Sequence, residues 1–385
     1  MYRTQRVIMI TVIIMILSGC GDQRILEKLG FTQTTSYDLA PDDEQSTSTE
    51  DQSKKKLIIS VSIPRPDTDG GNKSREVLTA IAYTSKEGKI KLSRQTELMV
   101  VSGQLRNALF GLSLAKQGIW EHIDTLVRDT SISPRVKVTI VNGSAHELLA
   151  KDYPRHPRTG QYLDRMLEKE AGSQTIPEIT LYQFTKDYLD DGIDPVAPII
   201  KKTEEHIQLD GIALFQNDQY VTKIGPDQAL TFAFLRGNFK QGEMSIDLSD
   251  VGRNDEHIMF SSMISQRSVK IKTGSGSNQY RADINIKITG SVQEYIGERS
   301  LDQDKDRKKL ESLIAEYIKL KAEEMVAMMQ KNQVDSIGLG KYVRKELGYE
   351  RWKSTDWYDV YQNIEVKCHV KIHIKDYGKF VNKSE

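Results

Sequence analysis

IEVKCHVKIHI, residues 364–374, places Ile364, Val366, Cys368, Val370, Ile372 and Ile374 on one side of the chain and Glu365, Lys367, His369, Lys371 and His373 on the other. A sustained period of two is the pattern of a strand with one face on a core and one toward water. Upstream the period changes. Residues 302–332 carry Leu310, Leu313, Ile314, Tyr317, Met325 and Met328 within one broad stripe, with Glu, Lys and Arg filling the rest, which is the spacing of a long amphipathic helix. A methionine stripe of this kind reads as core in preference to a binding groove. DSIGLGKYVRKEL (335–347) breaks the chain at Gly338 and Gly340 before a second helix, and WKSTDWYDVYQ (352–362) leads into the last strand. Before the long helix, SVKIKTG (268–274) and QYRADINIKITGSVQEY (279–295) read as strands flanking a hairpin loop at Gly274 and Gly276. A phosphate-binding loop would need a helix to follow, and a strand follows instead. Strands, then helices, then a closing strand give an α+β order.

Farther toward the N-terminus, HIQLDGIALF and QYVTKIG flank QND and predict a hairpin around Asn217 and Asp218. GEMSIDL (242–248) is another short strand. RVKVTIVNG (135–143) alternates as a strand, and residues 159–171 are a helical candidate. GIWEHIDTLVRD (118–129) sets Ile119, Trp120, Ile123, Leu126 and Val127 on one helix face. VLTAIAY and LMVV read as strands, LRNALFG as a strand and LSLAKQ as a short helix. LIISVSIP (57–64) is β-branched and stops at Pro64 and Pro66. APDDEQSTSTEDQSKKK (40–56) has no large apolar residue to offset its ordering entropy and reads as a flexible loop. Phe31 to Leu39 is a candidate strand.

The chain opens with Arg3 and Arg6, then an apolar run from Val7 to Leu17, then Ser18, Gly19 and Cys20. That run has the length of a signal-peptide apolar region and falls short of the roughly 20 residues a bilayer span needs. Its ending resembles a bacterial lipobox, in which a diacylglyceryl thioether forms on the cysteine and cleavage follows between Gly19 and Cys20. The plainer alternative is an uncleaved N-terminal anchor with an incidental cysteine. The chain has 385 residues, with 54 Lys plus Arg against 54 Asp plus Glu, so there is no basic excess for a nucleic-acid footprint. Of two cysteines, only Cys368 remains if Cys20 is acylated. Exported chains without disulfides rely on packed cores.

No catalytic set, cofactor site or metal site emerges. His146-Glu147 resembles the start of H-E-x-x-H, but Ala150 stands where the second histidine belongs. His369 and His373 would share a metal on a helix, whereas on a strand they sit roughly 13 Å apart. Cys368 falls on the apolar face and reads as a core thiol in preference to a nucleophile. Asp187, Asp190, Asp191 and Asp194 lack the order of a calcium loop and read as a solvated segment. Trp352 and Trp357 flank a turn and read as packing over the sheet end, with interface anchoring as the alternative.

Several pieces together resemble the C-subunit lipoproteins of spore germinant receptors, the Ger(x)C family: CGDQRILEKLGF after the lipobox, SLAKQGIWEHIDTLVRD, LDGIALFQNDQYV, DSIGLGKYVRKEL and the segment from Trp352 to Ile374. They follow the family's order and cover most of the chain. Two places depart from it: Gly21 stands where the family often has Trp, and 40–56 is longer than expected. The resemblance implies a three-domain α+β protein with mixed and antiparallel sheets and a long helix in its C-terminal domain. Its expected divisions are a signal peptide (1–19), an N-terminal α/β domain (20–198), a small β-rich middle domain (199–265) and a C-terminal α+β domain (266–385). It also implies a non-enzymatic subunit with N-palmitoyl, S-diacylglyceryl Cys20, held on the outer face of the spore inner membrane beside integral membrane A and B subunits. A solute-binding lipoprotein of a transporter is the competing reading. It would require repeated βαβ units in two lobes around a cleft, and neighbouring ATPase and permease genes would favour it.

Overall fold

LIISVSIP and VAPIIKK are rich in β-branched and aliphatic residues and buried along most of their length on both faces, and both lie inside one large sheet. The computed structural model describes Gln5 and residues 26–41, 56–65, 75–252, 255–273 and 280–377. Its first part runs β1 (Leu29–Phe31), β2 (Thr34–Leu39), β3 (Leu57–Pro64), β4 (Arg75–Ala82), α1 (Ser85–Ser93), β5 (Met99–Val101), β6 (Asn107–Gly111), α2 (Leu112–Gln117), α3 (Trp120–Val127), β7 (Lys137–Val141), α4 (Ala145–Ala150), α5 (Thr159–Gly172), α6 (Leu181–Tyr188), β8 (Val196–Lys202), β9 (Ile207–Gln216) and β10 (Gln219–Ile224). Eight of these strands form a sheet in the order β10-β9-β8-β7-β6-β2-β3-β4. The inner four, β8, β7, β6 and β2, are parallel, and the outer pairs are antiparallel. β1 and β5 pair separately and in parallel. The expected hairpin closes at Asn217 and Asp218: Gln216 faces Gln219, and Asn217 takes φ 55°.

The second part runs α7 (Ala229–Arg236), β11 (Phe239–Lys240), β12 (Met244–Asp247), β13 (His257–Thr273), β14 (Tyr280–Ile296), α8 (Asp304–Lys331), α9 (Leu339–Leu347), α10 (Tyr349–Lys353), α11 (Trp357–Asn363) and β15 (Glu365–Asp376). Its sheet has the order β11-β13-β14-β15, with β12 also beside β13. β13 and β14 are antiparallel. β14 and β15 are parallel, and parallel neighbours need a long crossover, which α8 to α11 supply. The α+β class, the mixed sheets and the long C-terminal helix are therefore as the sequence reads. The segment 199–265 shares its strands with both neighbours: β9 and β10 extend the large sheet, and β13 runs through residue 265 into the second one. Residues 1–4 and 6–20, the interior of the 40–56 loop and the Gly274–Gly276 turn lie outside the described residues.

Ile364, Cys368, Ile372 and Ile374 are buried as the alternation requires, while Val366 and Val370 are half-buried. The stripe on α8 differs in detail. Its buried line is Leu310, Leu313, Ile314, Ile318, Ala322, Met325, Val326 and Met329, and Tyr317 and Met328 sit half-buried at its margin. α8 also reaches the backbone of β15: Glu323 Oε1 accepts from the Cys368 N–H at 3.3 Å and Glu311 Oε1 from the Ile374 N–H at 2.8 Å. The Cys368 thiol is buried under this helix, and burial pushes its pKa up to about 12. Native protein should therefore leave Cys368 unmodified by thiol reagents, with labelling appearing only on unfolding. Mass spectrometry of the Cys368 peptide along a denaturant series checks this, and rapid labelling without denaturant would mean that β15 opens from α8.

Candidate functional site

DDGIDP (190–195) follows α6, and DSIGLG (335–340) opens α9. These two short segments close on each other and join the two sheets. Asp190 Oδ1 accepts from the Gly192 N–H at 3.1 Å, which turns the chain so that Gly192 lies against Gly340. A Cβ on Gly192 would stand 2.6 Å from the Lys341 nitrogen, and one on Gly340 would stand 2.8 Å from the Gly192 Cα. Only glycine permits backbones this near. The Lys341 N–H donates to the Gly192 carbonyl at 3.1 Å. Gly338, at φ 70°, provides the left-handed residue that turns the chain into α9.

Two buried carboxylates hold the centre. The Asp194 N–H donates to the Asp335 carbonyl at 3.0 Å, and the Asp335 N–H donates to Asp194 Oδ2 at 2.7 Å. Asp194 Oδ1 also accepts from the Asn217 N–H at 3.1 Å and the Tyr358 hydroxyl at 2.9 Å. Asp335 accepts from the Leu339 N–H at 2.9 Å, the Gly340 N–H at 2.7 Å and Trp357 Nε1 at 3.1 Å. Burial pushes both carboxyls up, Asp194 to about 6 and Asp335 to about 7, and the converging donors pull the other way. The neighbouring Asp194 charge adds to the rise at Asp335.

Cations clamp the rim. Arg236 donates to the Ser336 carbonyl and to Asp187 Oδ2, the latter at 2.6 Å. Arg267 Nη2 donates to the Ile337 carbonyl at 3.1 Å. Arg344 pairs with Asp190 at 2.9 Å and with Asp191, whose Oδ2 accepts from Trp352 Nε1 at 2.7 Å. Of Asp187, Asp190, Asp191 and Asp194, only Asp191 stays exposed as a solvated segment would be. All four are turned toward a cation or N–H donor of the second part of the chain, and Asp187 and Asp194 are buried. Trp352 and Trp357 are buried with their rings 5.5 Å apart, so they pack inside this seam. Their indole N–H groups supply two of its hydrogen bonds.

The other residues singled out in the sequence stay apart. His369 faces Asp283 at 3.4 Å, and His373 faces Glu311 at 3.5 Å. His146 Nδ1 lies 2.9 Å from the buried Ser60 hydroxyl. Among the described residues no cluster of three or more His, Cys, Asp or Glu has metal-holding geometry, and no helix is long and apolar enough to cross a membrane. Cys20 lies outside the described residues. Arg236 and Arg267 were not anticipated. The 335–340 carbonyls that they clamp lie 70 or more residues away, which no local pattern signals.

Residues 22–202 match the family model described as the spore germination protein N-terminal domain, and residues 210–378 match that described as spore germination B3/GerAC like, C-terminal. The chain is 26% identical over 374 residues to the spore germination protein GerQC of Bacillus cereus, covering 97% of this chain and 99% of that one. It is 22% identical over 401 residues to the spore germination protein A3 of Bacillus subtilis (strain 168), covering 97% and 98%. The crystal structure of the GerBC protein has a similar fold, with a TM-score of 0.58 at 14% identity over 88% of this chain and 97% of that one.

Proposed function

The chain belongs to the Ger(x)C family of spore germination proteins, and on that premise we propose that it is the non-enzymatic C subunit of a spore germinant receptor. It is anchored by N-palmitoyl, S-diacylglyceryl Cys20 on the outer face of the spore inner membrane and assembles there with integral membrane A and B subunits. The observation that carries the coupling role is the seam. Asp194, Asp335 and the Gly192–Gly340 contact bind the two sheets through buried backbone hydrogen bonds, so a push on one part is passed to the other. A transporter's solute-binding lipoprotein would place two βαβ lobes around a cleft. The single sheet from β10 to β4 argues for the receptor subunit instead.

Capture of the lipidated chain from spore membranes tests the proposal. The expected result is co-purification of two multi-span subunits, and recovery of an ATPase with a permease would overturn it. Two acyl chains anchor stably at about 0.8 kcal/mol per buried methylene. Cys20→Ala should therefore accumulate as unprocessed precursor, and normal processing of that variant would remove the anchor from the proposal.

A further inference from the structure

An open groove of about 1120 Å³ lies between α5 and the strands β8 and β9, away from the seam. Its helical wall is formed by Arg158, Gln161, Tyr162, Arg165, Met166 and Lys169, the i, i+3, i+4, i+7 face of α5 and its cap. The wall is pre-ordered: the Tyr162 ring stacks on His156 at 3.8 Å, and its hydroxyl donates to the Ile207 carbonyl at 3.4 Å. Most of the groove's acids are already matched. Glu170 pairs with Lys169 at 2.5 Å, and Asp210 takes Lys223, Lys201 at 3.4 Å and Asn142 at 2.8 Å. Asp227 is left on the rim.

Arg158 and Arg165 are different. Among the described residues neither guanidinium has a hydrogen-bond or ion-pair partner, and both are exposed on the groove wall. Two helical turns, about 10 Å of rise, separate their backbones, a span that two arginine side chains can close over one bound group. Arg158 also sits at the N-terminus of α5 with no side-chain cap, so the positive end of the helix dipole adds to the same field. Two unpartnered guanidiniums on one groove wall, beside Tyr162 and Met166, are a donor set for a phosphate, whose oxygens accept in the fork geometry that arginine presents.

We propose that this groove binds a phosphate-bearing ligand held by Arg158 and Arg165. The phosphate could be that of a soluble ester or that of a lipid headgroup. The lipid source is worth a separate arm because the proposed function, on which this arm rests, holds the chain at a membrane surface.

The full chain in maltoside micelles, which carry no phosphate, is the baseline. An arginine-specific dicarbonyl reagent is applied, and modification of Arg158 and Arg165 is followed by peptide mass spectrometry. One arm adds inorganic phosphate, a second adds phosphatidylglycerol to the micelles, and a control adds chloride at equal ionic strength. The expected result is severalfold slower modification of these two arginines in at least one phosphate arm and no slowing with chloride. Protection by phosphatidylglycerol alone assigns the ligand to the membrane, and protection by inorganic phosphate assigns it to the soluble class. Unchanged rates in both arms, or equal protection by chloride, would overturn the site. Arg158→Gln with Arg165→Gln, both at exposed positions, should fold as the parent does and lose any phosphate-induced rise in Tm. A retained rise would place the bound phosphate elsewhere and refute the assignment. Neither readout depends on acylation of Cys20, so its failure is distinguishable from failure of the anchor.

Discussion

Gly192→Ala is expected to loosen the seam and lower stability by about 3 kcal/mol, in the upper range for an added methyl that its surroundings cannot accommodate. The new Cβ would meet the Lys341 nitrogen at 2.6 Å, the Gly340 carbonyl carbon at 2.9 Å and the Lys341 Cα at 3.1 Å. All three are backbone atoms, so no side chain can swing aside. Relief requires the two segments to separate, which stretches the hydrogen bond from the Lys341 N–H to the Gly192 carbonyl and the neighbouring pair between Asp194 and Asp335. Gly192 is not at positive φ, so the substitution tests the contact and not the backbone conformation. Gly172→Ala is the matched control: it ends α5 with nothing within 4 Å, and a neutral or slightly stabilising change of about 0.5 kcal/mol is expected there. Thermal unfolding of both variants, with hydrogen exchange at the amides of Lys341 and Asp335, checks this. A Gly192→Ala protein as stable as the Gly172→Ala protein would mean that the seam is looser than its geometry.

What was legible in the sequence depended on how far each signal reached. β15 alternates cleanly because one face meets α8 and the other meets water. β13 was readable only over its last residues. Its first half, HIMFSSMIS, is interrupted by register shifts at Met259/Phe260 and between Ser261 and Ile264, and Ser262 takes φ 52°, so the period of two breaks. α7 was invisible for the opposite reason: Ala229, Leu230, Thr231, Phe232, Phe234 and Leu235 are all buried, and a helix covered all round has no stripe. α1 buries only Gly88 and Leu92, too few to set a period. The same limit applied to the sites. The four aspartates at 187–194 looked solvated because their partners Arg236, Lys341 and Arg344 are distant in sequence and brought near only by the fold. The groove was hidden in the same way, since its walls come from residues 156–170, 201–210 and 226–227.

Asp335→Ala should cost about 3–5 kcal/mol, the lower part of the sum for three buried donors that lose their acceptor together at about 1–3 kcal/mol each. Those donors are the Leu339 and Gly340 N–H groups and Trp357 Nε1, all inside the seam. The pH dependence of this loss separates the carboxyl from a merely space-filling residue. Burial raises Asp335 to about 7 in the folded protein, well above its unfolded value. A raised carboxyl binds its proton more tightly when folded. Its contribution to stability is therefore full below the unfolded pKa and falls as pH rises through 7, the reverse of a salt-bridged aspartate. Asp194, raised to about 6, acts in the same direction and titrates with it as a pair. His122 opposes them, since burial lowers its pKa and acid must charge it on unfolding. The difference between parent and variant cancels His122 and leaves the seam. That difference should be largest near pH 5 and shrink toward pH 8, by about 1.4 kcal/mol for each pH unit over which folded Asp335 keeps its proton. Denaturant unfolding of both proteins between pH 5 and 8 measures it. A difference that stays flat from pH 5 to 8 would mean that Asp335 is ionised throughout this range and that its three donors outweigh the cost of burying the charge.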